Sequence, residues 1–277
     1  MSSVDDPGAA PRSRPWRPAP PLITSAGVHA AAAAWVLVAP AQWPVAAAVV
    51  AANHAVLGAA GLWPKSRLLG PNLLRLPPEA ALRSEISLTF DDGPDPEVTP
   101  VVLDLLARYD ARASFFCIGE RAQRYPDLCR DIVARGHSVE NHTQHHSRWF
   151  PFLGMRGIAR EIGTAQKTIT FIAGQMPVFF RAPAGLRNPL LEPVLARLGL
   201  RLAAWTGRGF DTVTRDPATV AHRMLRWLAA GDILLLHDGN AAQSASGARV
   251  VLEALPRVLE AIAARGLKSV TLREGTR

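Results

Sequence analysis

Apolar and charged residues are distributed unevenly, and this divides the chain into two parts. Residues 18–64 contain no Asp, Glu, Lys or Arg and are dominated by alanine. A stretch of that length holds two helices of about 20 residues each, the length that crosses a bilayer. We predict a membrane helical hairpin at 22–63, after a disordered lead-in at 1–21 and before a linker at 64–83.

Two other interpretations of the apolar segment stay open at this point. Arg12, Arg14 and Arg17 precede the first apolar run, and the small residues at 39–41 resemble a cleavage site, as in a signal peptide. The second apolar run argues against cleavage as a full explanation. A pair of helices buried against the following domain is the other alternative, because short apolar runs are also typical of core helices.

The charges that flank the hairpin predict an orientation. Three arginines precede it and Lys65, Arg67 and Arg75 follow it, whereas the turn between the two apolar runs carries no charge. The positive-inside rule then places both ends on the cytoplasmic side. We therefore expect a protein of the inner (plasma) membrane whose downstream domain faces the cytoplasm.

From residue 84 onward, short β-rich runs alternate with stretches of helical length. The candidate strands are 85–90, 113–119, 137–141, 178–182, 201–205, 232–237 and 268–272. The candidate helices are 98–109, 120–135, 156–172, 189–198, 217–230 and 248–265. Regular alternation of this kind predicts an α/β domain at 84–277 with a parallel sheet covered by helices. Seven strands favour an incomplete barrel over an open sheet.

Composition limits the classes of molecule that we expect the protein to bind. The chain has 277 residues, a formal net charge of +8 and 48% hydrophobic residues, which is enough for a buried core. Aromatic residues make up only 6% of the chain, and Lys and Arg form no run. Nucleic-acid binding proteins show clustered positive charge and stacking aromatics, so we expect no nucleic-acid partner. The oligomeric state is left open by the sequence.

Side chains that can bind a metal or transfer a proton lie at the carboxyl ends of the predicted strands. In a parallel α/β barrel this is the edge at which an active site is assembled. The residues concerned are Asp91 and Asp92 after the first strand, His142 and His146 after the third, Arg181 at the fourth, Asp211 after the fifth and His237 at the sixth.

Three of these residues form a candidate metal site. Asp92 supplies a carboxylate, and His142 and His146 supply two imidazoles, a set suited to Zn²⁺ with open positions for water. The i, i+4 spacing puts both imidazoles on one face if the segment begins a helical turn. A solvated histidine loop is the alternative, and the two neighbouring aspartates argue against it.

The remaining residues suggest an acid and a base. Adjacent carboxylates repel, so we expect Arg181 to compensate Asp91 and to leave it free to act as a base. A plain turn is the alternative for this acidic pair. His237 is the candidate acid, with Asp211 holding its second ring nitrogen. The alternative for His237 is a structural histidine of the core whose ring nitrogens are hydrogen-bonded.

Five segments together resemble the motifs of the polysaccharide deacetylases, the NodB-homology or carbohydrate esterase 4 family. In combination these motifs are highly specific, and the resemblance covers about residues 84–272. The segments are SLTFDDGPDP at 87–96, NHTQHH at 141–146, RAPAG at 181–185, WTGRGFD at 205–211 and LLLHDG at 234–239.

The resemblance implies a distorted (β/α)7 barrel, a divalent metal, usually zinc, and hydrolysis of N-acetyl groups on amino sugars. It also implies a role for each matching residue. Asp91 is the base, Arg181 the arginine that tethers it, His237 the acid and Asp211 its partner; Asp92, His142 and His146 are the metal ligands; Ala184, through its backbone N–H, and Leu235 are the substrate-binding residues.

Two departures from the motifs bear on the substrate. Ala184 stands where an aromatic residue is usual, and Thr212 stands where a tryptophan commonly follows the aspartate. Both changes remove aromatic lining from the sugar groove. We predict a metal-dependent N-deacetylase that acts on a polysaccharide or, given the membrane hairpin, on a lipid-linked saccharide. An O-acetyl esterase and a catalytically silent glycan-binding membrane protein are the alternatives.

Overall fold

Residues 13–277 are described in a computed structural model, and they begin with two long helices. These helices are α1 (Pro20–Val38) and α2 (Trp43–Leu62), joined by a single 3₁₀ turn at Pro40–Gln42. A proline lies in the first turn of each helix, where its missing N–H costs no hydrogen bond. The first twelve residues of the predicted lead-in lie outside the described residues.

Both helices are long and apolar enough to cross a membrane. In an 18-residue window of Pro20–Val38 and of Pro40–Leu62 the mean hydropathy is 1.5 and 1.7, and only 11% and 17% of the window is buried by the rest of the protein. Helices of a soluble core would be mostly buried, so this exposure argues against the buried helical pair. A membrane hairpin and a signal sequence pass the same test of length and composition, and the hairpin stays a prediction.

The rest of the chain alternates strands and helices, as the hydrophobic pattern predicts. The strands are β1 (Glu85–Asp91), β2 (Ala113–Cys117), β3 (Ser138–Asn141), β4 (Phe179–Phe180), β5 (Arg201–Leu202), β6 (Gly207–Arg208), β7 (Ile233–His237) and β8 (Lys268–Ser269). The helices are α3 (Pro78–Leu82), α4 (Thr99–Arg108), α5 (Gly119–Arg124), α6 (Pro126–Ala134), α7 (Met155–Ala173), α8 (Leu191–Leu198), α9 (Pro217–Leu225), α10 (Val250–Ala264) and α11 (Leu272–Gly275).

Two details differ from the predicted elements. The predicted helix at 120–135 is two helices, because Pro126 has no N–H to continue the ladder of α5 and starts α6 instead. The strand β6 was not predicted, because Gly207 and Arg208 have no apolar side chains to mark a strand. The sheet therefore has eight strands where seven were expected.

The strands form a parallel half-barrel in which β1 lies between β2 and β7. Their order is β5-β4-β3-β2-β1-β7-β6, and β8 pairs with the start of β1. In this register Asp91 lies beside Phe116 of β2 on one side and beside His237 of β7 on the other. The sheet thus brings Asp91 and His237 to the same carboxyl edge.

Alternation along β1 decides which side chains face the barrel interior. Ile86, Leu88 and Phe90 are buried in the hydrophobic layer between the sheet and the outer helices. Successive side chains of a strand point to opposite faces, so the intervening Thr89 and Asp91 face the interior. The interior is filled by apolar side chains, among them Phe116, Phe179, Trp205, Ile233 and Leu235.

The segment predicted as a linker packs across the edge of the barrel. Leu73 forms a bridge to Ala203, just after β5, and Arg75 forms one to Asp232, just before β7. Leu76 and Ala80 from the same segment are buried. Residues 64–83 therefore contact the sheet beside β5 and beside β7 as well as joining the hairpin to the domain.

The carboxyl end of α2 lies against the loop that follows β4. The Arg187 N–H donates to the Gly61 carbonyl at 3.1 Å, and a Cβ on Gly61 would lie 2.2 Å from the Arg187 oxygen, so only glycine fits there. Pro64 packs against Gly185, where a Cβ would come within 2.6 Å of the proline Cβ. The hairpin therefore joins the domain beside the turn at Pro183–Gly185.

Candidate active site

A cavity of about 170 Å³ opens at the carboxyl edge of the sheet. Seven of the nine predicted site residues line it, and the other two, Arg181 and Asp211, are buried behind it at 1% and 0% exposure. The lining residues are Asp91, Asp92, His142, His146, Ala184, Gly185, Trp205, Arg208, Thr212, Leu235 and His237.

Three side chains converge on one point of this cavity. The Oδ1 atom of Asp92 lies 3.2 Å from the Nε2 atom of His142 and 3.1 Å from the Nε2 atom of His146. The ligand atoms of all three lie within 4.8 Å of one another, close enough to bind a single metal ion.

The two histidines approach each other through a loop instead of the helical turn considered above. Residues 142–146 have no helical hydrogen bonding, and Thr143 and His146 have positive φ values of 67° and 50°. The His146 N–H donates to the Thr143 hydroxyl at 2.9 Å, which holds this tight bend. The bend aims both rings at Asp92.

Hydrogen bonding shows that this cluster suits a cation. The Nδ1 atom of His142 lies 2.8 Å from the Arg181 carbonyl, which only accepts, so Nδ1 carries the hydrogen. In the neutral ring, Nε2 then presents a lone pair to Asp92, whose buried Oδ1 has no hydrogen-bond partner in residues 13–277. Electron pairs converging on one point are the donor set of a divalent metal site.

The electrostatics of the cluster agree with this interpretation. Burial opposes the charge on Asp92, but the neighbouring histidines hold the pKa of the carboxyl well below its usual range. Burial is the main cause that lowers the pKa of His146 to about 4, so its ring is neutral at pH 7. A carboxylate and a neutral imidazole are the forms that bind metal.

Asp91 is held by a buried arginine. The Nη1 atom of Arg181 donates to Asp91 Oδ1 at 2.6 Å and to the Thr89 hydroxyl at 2.9 Å. Two backbone carbonyls accept from the other guanidinium nitrogens, and the guanidinium lies 4.0 Å from the centre of the Phe116 ring. The second carboxylate oxygen of Asp91 faces the metal cluster, 3.9 Å from His142 Nε2.

Replacing Arg181 by methionine is expected to destabilise the fold by about 3–5 kcal/mol, because it leaves the buried Asp91 charge without its partner. Chemical denaturation of the full chain measures this free energy. Arg201→Met is the matched control, since Arg201 also stacks on a phenylalanine, at 5.0 Å from Phe179, but lies at the surface. It should cost about 1 kcal/mol or less. Equal losses for the two variants would contradict the assigned ion pair.

His237 is oriented by Asp211. Its Nδ1 atom lies 2.8 Å from Asp211 Oδ1, and its backbone N–H donates to Asp211 Oδ2 at 2.8 Å. Both carboxylate oxygens are thus occupied, and Nε2 is the ring nitrogen left for the cavity. Burial would lower the pKa of His237, but the hydrogen bond and charge of Asp211 raise it above the ordinary value.

Comparison with known proteins places these features in a family. The profile of the polysaccharide deacetylase family matches residues 80–203. A chitooligosaccharide deacetylase of Azorhizobium caulinodans is 35% identical over 191 residues, which cover 66% of this chain and 90% of the relative. A peptidoglycan-N-acetylglucosamine deacetylase of Bacillus cereus is 32% identical and covers 68% of this chain and 86% of the relative. The chain belongs to the polysaccharide deacetylase family.

A solved structure supports the same family assignment. The family 4 carbohydrate esterase from Streptomyces lividans, in complex with acetate, superposes with a TM-score of 0.61 at 30% identity. The match covers 69% of this chain and 95% of that structure. The NodB-homology, carbohydrate esterase 4 family predicted from the five motifs is therefore confirmed.

The departures from the family motifs are located on the cavity wall. Ala184 lies in the turn Pro183–Gly185 with a positive φ of 53°, and Thr212 follows Asp211. Neither contributes an aromatic ring, but Trp205, the first residue of the fourth motif, does line the cavity. Trp205, whose ring lies against Gly185, thus supplies an aromatic surface to the cavity wall beside Ala184.

Two residues near the site were missed from the sequence. Asn240 donates to Asp92 Oδ2 at 3.1 Å and accepts from Arg121 at 2.8 Å, which holds the carboxylate with Oδ1 towards the histidines. Arg208 lines the cavity from β6. Asn240 follows the LLLHDG motif closely and could have been found as a polar residue at a strand end. Arg208 lies within the WTGRGFD segment, but in a strand that was not predicted, so its place in the cavity wall was missed.

Proposed function

We propose that this deacetylase hydrolyses an N-acetyl or related acyl group from an amino sugar of a polysaccharide or lipid-linked glycan. The observation that carries the proposal is the convergence of Asp92, His142 and His146 beside Asp91 and His237. The deacetylase names of its relatives give the same reaction class.

Asp92, His142 and His146 would hold one divalent ion, and Zn²⁺ suits two imidazoles and a carboxylate best. When bound, the ion supplies Lewis acidity, which activates water near neutral pH and polarises an acyl carbonyl. Asn240 orients Asp92, and the Arg181 carbonyl orients His142, through the contacts described above. Such outer contacts fix the ligand geometry before the ion arrives.

Asp91 is the base in this proposal. Its Oδ1 atom is taken by Arg181, so Oδ2, on the side of the metal cluster, is the atom that accepts a proton. A water oxygen bonds to the acyl carbon as its proton passes to Oδ2. Ala184 and Leu235 line the same cavity, where the backbone N–H of the first and the side chain of the second would contact the acyl group.

His237 is the acid. Its Nδ1–H is held by Asp211, so the proton that moves is the one on Nε2. The bond between the acyl carbon and the sugar nitrogen breaks as this proton reaches the nitrogen. The products are a carboxylic acid and a free amino sugar, so atoms and charge balance with one water consumed.

The replacement Asp211→Asn is expected to move the alkaline limb of the kcat profile to lower pH. His237 must be protonated to act, so the rate falls as the pH rises through its pKa. Asp211 raises that pKa, and asparagine removes the charge that raises it. The kcat of wild type and variant between pH 5 and 10 measures the shift. A limb that stays in place or moves upward would refute the role of Asp211.

Acetate release distinguishes the deacetylase from an esterase. The full chain, loaded with zinc, is assayed on an N-acetylated chitooligosaccharide and on O-acetylated xylan at equal acyl concentration. We expect a higher kcat/KM on the N-acetyl substrate. Acetate release from the O-acetyl substrate alone would establish the esterase instead.

The hairpin is part of the same proposal. Residues 22–63 anchor the enzyme in the inner membrane, and the domain at 84–277 faces the cytoplasm, supported by the apolar length of α1 and α2 and by the basic flanks. A reporter fused after Arg277 tests this. Green fluorescent protein should fluoresce there, whereas alkaline phosphatase should be inactive; an active phosphatase would reverse the orientation.

A further inference from the structure

A second, larger groove lies directly beside the site cavity. It has a volume of about 580 Å³ and is bounded by β6, the start of β7 and the end of α9. Trp205 and Arg208 line both the groove and the cavity. The two spaces are therefore neighbours that share these two side chains.

Five basic side chains surround this groove. They are Lys65, Arg75, Arg208, Arg223 and Arg226. The only acidic residue in the lining is Asp232, and it is paired with Arg75 at 2.7 Å. No carboxylate from residues 13–277 forms an ion pair with the other four. The groove thus carries an uncompensated positive charge next to the reaction centre.

Arg208 stands where the groove meets the cavity. Its Nε atom is buried and has no hydrogen-bond partner among the described residues. Its guanidinium lies 4.9 Å from the centre of the Phe210 ring, and that of Arg223 lies 5.7 Å from the same ring. Two guanidiniums around one ring repel each other, and an anion bound by both would relieve the repulsion and satisfy the buried donor.

The end of the hairpin reaches the same groove. Lys65 follows α2 closely, and its Nζ donates to the Thr206 carbonyl at 2.6 Å. Pro64, its neighbour, packs against Gly185 of the cavity wall. A hairpin that spans the bilayer therefore holds the groove near the level of the lipid headgroups, where phosphate groups are concentrated.

We propose that this groove binds a phosphate that the substrate carries next to its acylated amino sugar, so that the preferred substrate is a glycosyl phosphate or diphosphate. The inference rests on the proposed function, because the groove has this meaning only if the cavity holds the sugar. A phospholipid headgroup offers the same chemistry, but the shared Arg208 and Trp205 connect the groove to the reaction centre, which favours a phosphate on the substrate.

Equilibrium binding of N-acetylglucosamine 1-phosphate tests the proposal without requiring turnover. The full chain is placed in phosphatidylcholine nanodiscs and titrated calorimetrically with this phosphosugar, with N-acetylglucosamine and with inorganic phosphate. We expect the phosphosugar to bind more tightly than either component. The double variant Arg208→Gln/Arg223→Gln should weaken its binding by about 100-fold, at about tenfold for each charge-assisted hydrogen bond.

The control is the double variant Arg108→Gln/Arg160→Gln, which removes two exposed arginines of α4 and α7 that line neither space. It should retain the wild-type affinity. Equal weakening in both double variants, or equal affinity for the phosphosugar and the neutral sugar, would overturn the proposal. Phosphosugar binding no tighter than that of inorganic phosphate, together with displacement by phosphatidylglycerol discs, would assign the groove to headgroups and also overturn it.

Acetate release, measured beside the binding titration, separates this inference from the proposed function. If the phosphosugar binds as expected but the zinc-loaded wild type releases no acetate from it or from chitooligosaccharide, the hydrolase proposal fails and the phosphate groove stands. If acetate is released from both substrates but the groove variants bind the phosphosugar as tightly as the wild type does, the phosphate groove fails and the hydrolase proposal stands.

Discussion

Asp91→Asn is expected to lower kcat on an N-acetylated sugar by about 10²- to 10⁴-fold, the range for a lost general base. Asparagine has nearly the same shape and still offers an oxygen to Arg181, which donates to Oδ1 in the wild type at 2.6 Å. The amide nitrogen that replaces Oδ2 cannot take up a proton. The expected loss is therefore one of rate, measured as steady-state acetate release.

Zinc content and a matched variant separate this effect from damage to the site. The Asp91→Asn protein should bind zinc as the wild type does, because Asp91 is not among the three converging ligand residues. Asp127→Asn, at a side chain that is 93% exposed, is the control and should keep full activity. Wild-type kcat in Asp91→Asn would remove Asp91 from the mechanism, and so would a loss of rate explained entirely by missing zinc.

His142→Ala is expected to abolish activity by removing a metal ligand. Loss of a ligand weakens zinc binding by more than about 100-fold, since changes to outer residues alone cost about 10- to 100-fold. The sequence provides a close control in His145, whose side chain is 59% exposed and whose Nδ1 lies 2.9 Å from Glu161, away from the cluster. Metal content after dialysis and acetate release are measured for both variants.

The two histidines should behave oppositely. His142→Ala is expected to retain neither zinc nor activity, whereas His145→Ala retains both. An active, zinc-binding His142→Ala would show that the ion, if any, lies elsewhere. Loss of zinc in both variants would point to a general collapse of the loop at 142–146.

The part of the fold that carries long hydrophobic runs could be predicted from the sequence. Strand β1 alternates apolar outward residues with Thr89 and Asp91, and the buried run of β7 ends at His237. Both patterns are set by burial, so they are visible without coordinates. Polar residues that follow such runs fall on one edge of a parallel sheet, which is why the candidate residues were brought together as expected.

The closure of the barrel could not be predicted in the same way. The strand β6 has two residues, and the bridges formed by Leu73 and Arg75 depend on contacts between positions about 130 to 160 residues apart. Neither the strand nor the bridges produce a hydrophobic period in the local sequence. Arg208 and the basic groove arise at this closure, so they were missed, although all the motif residues around them had been identified.

The bend at 142–146 shows a different limit. The i, i+4 spacing of His142 and His146 fits a helical turn, but both rings meet Asp92 through positive φ values at Thr143 and His146. Spacing alone does not distinguish a helix from a tight turn held by a side-chain hydrogen bond. The structure brings both rings to Asp92 through a bend, and not through the helical turn that the spacing would allow.

A zinc titration of the metal-free enzyme tests the central claim most directly. The full chain is stripped with a chelator, and acetate release from an N-acetylated chitooligosaccharide is followed as zinc is added. We predict no activity at the start, a linear rise and saturation at one ion per chain, with no recovery in Asp92→Ala at the same zinc concentrations. Acetate release that persists in the stripped enzyme, or that zinc restores equally in Asp92→Ala, would contradict a hydrolase built on Asp92, His142 and His146.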